Sequence, residues 1–155
     1  LLKIAPHAKV VATSTAIRYL KDMVGSGFES ITVKDGHSLD LGNKTLRFIS
    51  APNLHWPDTM YTYLEEDKML FTCDSFGCHF ADKRMFDDEV GNFDEAFRYY
   101  FDVIIKPFSR FMIRALDKIE PFDIAAVCPG HGPILRKNFR RYMAITREWS
   151  EEYVK

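Results

Sequence analysis

Apolar and polar residues alternate between Glu29 and Ser50, in ESITVKDGHSLDLGNKTLRFIS. The alternation predicts strands near 30–34, 37–41 and 45–50, divided at Asp35-Gly36 and Gly42-Asn43, pairs that favour tight turns. MYTYLEEDKMLFTC (60–73) repeats the pattern and reads as a hairpin turning at Glu66-Asp67. Upstream, AKVVAT (8–13) is a short buried strand. Thr13 or Ser14 can then cap a helix over TAIRYLKDMV, with Ile17, Leu20 and Val24 on one face, and GSG (25–27) ends it.

The period changes after a loop of small and polar residues. Phe93, Phe97, Tyr100, Phe101, Ile104, Phe108, Phe111, Met112, Ala115, Leu116 and Ile119 recur at helical spacing. They predict one long helix over 93–119, kinked or interrupted at Pro107. FDIAAVCPGHGPI is a buried strand running into a glycine-proline loop. NFRRYMAITREWSEEY closes the chain as a helix with Asn138 at its N-cap. Strands that pair in sequence, with helices to cover them, make an α+β layered domain. No repeat, linker or low-complexity segment divides it.

Composition narrows the function classes. With 155 residues, 46% hydrophobic and 14% aromatic, the chain builds one core and is not disordered. The net charge of −1, with acids and bases interspersed, gives no electrostatic case for nucleic acid or for an anionic membrane. No window reaches the ~18 apolar residues of a membrane span, and no signal-peptide pattern opens the chain. Three cysteines without repeated spacing fit a reducing, cytoplasmic setting. The chain begins LLKIAPHAKVV without an initiator Met, which reads as a boundary inside a longer protein.

Three polar residues share one kind of address. His55 follows TLRFISAPNL, Asp74 follows MLFT, and His131 follows DIAAV within PGHGP. Loops at strand ends are where a rigid scaffold meets solvent and where sites are built. Two imidazoles and a carboxylate form a common metal set, and a bridging carboxylate lets two cations sit about 3.5–4 Å apart. The glycines flanking His131 allow a sharp turn and the prolines stiffen it. Each histidine alone also fits a solvated surface residue, and spacing does not prove convergence. His7 and His37 read as solvated. His79 fits either a group beside the ligands or a surface residue. Cys73, Cys78 and Cys128 read as buried thiols. Strand alternation points Cys73 and Asp74 to opposite faces. Neither a G-x-S-x-G elbow nor a nucleotide-binding glycine loop occurs.

LHWPDTMYTYLEEDKMLFTCDSFGCHF (54–80) and VCPGHGPI (127–134) resemble the metallo-β-lactamase-like domain of flavodiiron proteins, also called A-type flavoproteins. HWPDTM, the acidic hairpin turn and DSFGCH carry the resemblance, which runs to the terminal REWS helix. It implies a four-layer αββα sandwich with two non-haem irons at its mouth. By position His55 and His131 match iron ligands and Asp74 matches the bridging carboxylate. His79 falls where the family often keeps a histidine near, but not on, the metals. The implied activity is reduction of dioxygen to water or of nitric oxide to nitrous oxide. Electrons would come through FMN in a flavodoxin-like domain, from a donor such as rubredoxin or a reductase, in a head-to-tail homo-oligomer. The family's H-x-E-x-D-H motif and the flavodoxin-like domain are not in this chain. The expectation is therefore the second half of the sandwich, residues 1–155, inactive alone. Two alternatives stay open: a zinc hydrolase of the same superfamily, and a non-catalytic fragment or partner subunit.

Overall fold

The computed structural model describes residues 4–24 and 27–155. Gly25 and Ser26 of the expected helix stop, and the first three residues, lie outside this range. Two sheets are present. β1 (Val10–Ala12) and β2 (Ser30–Thr32) pair in parallel around α1 (Ser14–Val24). The Thr13 hydroxyl accepts the Ala16 N–H at 3.2 Å and caps α1, the role expected of this position. Of the predicted α1 face, Ile17 is buried and Val24 is exposed.

The larger sheet has the order β3-β4-β5-β6-β7, from β3 (Ser38–Asp40), β4 (Thr45–Ser50), β5 (Met60–Leu64), β6 (Met69–Cys73) and β7 (Ala126–Pro129). Its pairs are antiparallel except β6–β7, which are parallel. Strands β4, β6 and β7 therefore run the same way and finish at the same end of the sheet. Each of those ends leads into one of the three polar loops.

Pleating sorts the strand residues onto two faces. Ile49, Tyr61, Tyr63, Leu70 and Val127 line one face, all buried, and join the helices in a single core. On the other face Phe48 is buried, but Phe71, in the middle of β6, is 41% exposed. A phenylalanine so placed marks a sheet face that is apolar and only partly covered among the described residues.

The single helix expected over 93–119 is interrupted. α2 (Asp94–Tyr100) and α3 (Ser109–Ile119) are separated by a widened turn at Phe101–Ile105 and a tight turn at Lys106–Phe108. Pro107 has no N–H to give to a regular helix, and the break falls around it. Of the expected stripe, Phe93, Phe97, Tyr100, Phe101, Met112, Ala115, Leu116 and Ile119 are buried, whereas Ile104, Phe108 and Phe111 are half-buried and Ile105 is buried in place of Ile104. α4 (Phe139–Val154) packs against α3. Asn138 stands at the α4 N-cap position but its side chain does not cap. The buried Asp87 carboxylate instead fixes the residues that lead into α4, accepting the backbone N–H groups of Arg136, Lys137 and Asn138 at 2.9, 3.1 and 2.7 Å. A carboxylate at a helix N-terminus is favoured by both hydrogen bonding and the helix dipole.

Candidate metal centre

Left-handed backbone marks each loop that leaves the shared sheet end. Asn53 (φ 64°) precedes His55, Cys73 (φ 51°) precedes Asp74, Phe76 (φ 62°) follows it, and Gly132 (φ 80°) follows His131. Such conformations are uncommon outside glycine and persist where surrounding structure imposes them. Here the imposing structure is visible. The Asn53 N–H donates to the Trp56 carbonyl at 2.8 Å, closing the His55 loop, and the Thr59 hydroxyl donates to the same carbonyl at 2.9 Å. The Asp74 turn is tied by the Thr72 hydroxyl, which donates to the Ser75 carbonyl at 2.8 Å, and by the Tyr61 hydroxyl, which donates to Ser75 Oγ at 2.6 Å. Burial pushes the Tyr61 phenol well above its ordinary value, so it stays a donor.

Close approach holds the loops of Asp74 and His131 against each other. The Cys78 N–H donates to the His131 carbonyl at 3.2 Å. A Cβ on Gly132 would lie 2.5 Å from Cys78 Sγ, and one on Gly77 would lie 3.2 Å from the carbonyls of both Asp74 and His131. Glycine at these places lets two strand-end loops pack backbone to backbone.

The result brings together the three residues read from sequence. His55 Nε2 lies 3.2 Å from Asp74 Oδ2, and His131 Nε2 lies 3.3 Å from Asp74 Oδ1. Each imidazole thus faces a different oxygen of one carboxylate. Among the described residues no Lys or Arg comes within 4.0 Å of Asp74, so its charge has no fixed cation. Nor do three His, Cys, Asp or Glu side chains among them close around one point. The set is open, with a carboxylate at the centre and one nitrogen on each side. Such donors suit two cations sharing a carboxylate better than one cation in a closed cage. Beside Asp74 a hollow of about 700 Å³ opens, walled by Tyr19, Leu20, Met23, Trp56, Met60 and Cys73.

The remaining sequence candidates separate. His79 is exposed, its ring edge-on to Tyr100 at 4.8 Å and to His131 at 5.8 Å between centroids. His7 and His37 are exposed. Cys78 and Cys128 are buried thiols, as read, and burial pushes Cys78 up to about 11, against any thiolate role near neutral pH. Cys73 departs from the reading, since it is exposed. It sits in left-handed backbone where β6 leaves the pleat, so strand alternation no longer sets the direction of Asp74. Tyr100 was legible only as helix core. Its ring lies 6.1 Å from that of His131 between centroids, beside the site, and burial pushes its phenol up. A hydroxyl on an otherwise phenylalanine-rich stripe was the available signal.

The model of the ODP family beta lactamase matches residues 1–132. This chain belongs to that family. Among relatives of this ODP domain, the type A flavoprotein fprA of Rhodobacter capsulatus is 44% identical over 150 residues, 95% of this chain and 34% of that protein. The metal-soaked Flv1 flavodiiron core from Synechocystis sp. PCC6803 superposes with a TM-score of 0.93 at 29% identity, covering 97% of this chain and 38% of that one. The rubredoxin oxygen:oxidoreductase of Desulfovibrio gigas superposes at 0.87 with 26% identity, covering 92% and 37%. The mixed α and β architecture is therefore that of flavodiiron cores. The ODP chain spans about a third of the length of these relatives.

Proposed function

We propose that this chain is the second half of a metallo-β-lactamase-like domain and supplies one side of a di-iron centre. The parent protein is then a flavodiiron oxidoreductase that reduces dioxygen to water or nitric oxide to nitrous oxide. The observation that carries this reading is the Asp74 carboxylate, with one oxygen toward His55 and the other toward His131. The kinship with type A flavoproteins, with a flavodiiron core and with an oxygen oxidoreductase supports iron and a small diatomic substrate for such a donor set.

Bound iron would supply the electrons and an open coordination position for the diatomic substrate. The residues of this chain do the rest of what falls to it. Asp74 places negative charge between two cations and so offsets their repulsion. His55 and His131 each offer a neutral nitrogen, one per side. His55 is walled by Trp56 and Phe108, with ring centroids at 5.6 and 6.2 Å, which limits water on that side. His79 stands next to His131 without reaching the carboxylate, near the metals and not on them. Three donors do not fill two iron coordination spheres, so further ligands must come from residues beyond this chain. FMN, a donor such as rubredoxin, and a homo-oligomer that brings FMN to the metals complete the reading. The chain alone is then inactive.

Elemental analysis of the full-length protein tests the proposal. It should hold two irons per chain, and Asp74→Asn should lose most of them while its circular dichroism is unchanged. Full iron content in Asp74→Asn would overturn the bridging role. Zinc in place of iron would move the reading to a hydrolase of the same fold.

A further inference from the structure

Ser75, the residue after Asp74, is held by a chain of buried hydroxyls. Tyr61 lies on β5, fully buried, and Ser75 and Thr72 are also at 0% exposure. A phenol in such a place is costly unless its hydroxyl is bonded. Tyr61 joins the core cluster through its ring. Its hydroxyl donates at 2.6 Å to Ser75 Oγ, on the residue next to Asp74. Thr72 fastens the same residue from the other side: its hydroxyl donates to the Ser75 carbonyl at 2.8 Å, and its carbonyl accepts the Ser75 N–H at 3.2 Å. The turn so held has left-handed residues on both sides, Cys73 and Phe76. These bonds join the turn to β5 and to the end of β6.

We infer that Tyr61 and Ser75 are positioning residues for Asp74, fixing through the turn backbone the plane in which its two oxygens face His55 and His131. The inference rests on Asp74 holding two metals. It adds that a neighbouring strand, and not only the loop, sets the orientation of the bridge. Neither side chain touches the carboxylate, so each acts on metal through geometry alone. Groups that orient a ligand typically affect metal affinity by about ten- to a hundred-fold. The indirect route places the expected effect at the lower end.

The test uses the full-length iron-loaded protein and its Tyr61→Phe, Ser75→Ala and double variants. Tyr61→Phe removes one oxygen and keeps the ring, and Ser75→Ala provides an independent route if that variant folds poorly. Iron release to a chelator should speed up about ten-fold in each single variant, and the double variant should release no faster than the worse single. Low-temperature EPR of the half-reduced centre should shift in the same variants, because coupling between two irons depends on the shared carboxylate. Release and EPR unchanged in folded Tyr61→Phe and Ser75→Ala, alongside fast release from Asp74→Asn, would overturn the positioning role and leave the bridge standing. Slow release from Asp74→Asn itself would overturn both. Multiplying single-variant effects in the double variant would also count against a shared chain of bonds.

Discussion

At the end of the five-stranded sheet where β5 turns into β6, the carboxylates leaving the strands are matched with ordinary partners. Glu65 meets Arg47, Glu66 accepts the Thr45 N–H, Asp67 meets Lys44 and Asp123 meets Lys68. At the opposite end Asp74 meets two histidines and no Lys or Arg among the described residues. The two ends are built from the same strands and are both partly solvated. They differ in what the chain provides to answer a negative charge. Pairs such as Lys68–Asp123, exposed and screened, add little and can be lost cheaply. A carboxylate faced only by imidazole nitrogens has no permanently charged partner among the described residues.

Three substitutions, and His7→Ala as a control for the first, sharpen this contrast in descending order of effect. His131→Ala in the full-length protein should cost at least one iron per chain, whereas His7→Ala, at an exposed position away from the site, should cost none. Equal iron counts by elemental analysis would show the ligand assignment to be wrong. Gly132→Ala comes next. The new Cβ would meet the Cys78 side chain and carbonyl at 2.5 and 3.0 Å, in backbone with φ 80°. Thermal unfolding should report a loss of about 2–3 kcal/mol. A stability within error of the parent would mean that the two loops are not locked together. The smallest effect belongs to the other end. Asp123→Asn removes one member of an exposed pair and should leave both iron content and melting temperature where they were.

The strands of the sheet and its hairpin were legible because alternation and turn residues are local signals. β4 spans 45–50 as the alternation indicated. The addresses of His55, Asp74 and His131 were legible for the same reason, each following an apolar run. Their convergence was not. It depends on β4, β6 and β7 ending at one side, which follows from two antiparallel pairings and one parallel pairing that no spacing encodes. The hold of Asp87 on the residues that lead into α4 was hidden because acceptor and donor lie up to 51 residues apart. The wide turn after Tyr100 moves the buried position from Ile104 to Ile105, a one-residue shift that helical spacing did not reveal. Cys73 was misread because left-handed backbone at a strand end overrides alternation.

The central claim is that one carboxylate serves two metals. Anomalous diffraction at the iron edge, from crystals of the full-length protein, measures it directly. The account predicts two peaks flanking Asp74, one within bonding distance of His55 and the other of His131. A single peak, or a pair of peaks that does not share the Asp74 carboxylate, would contradict it.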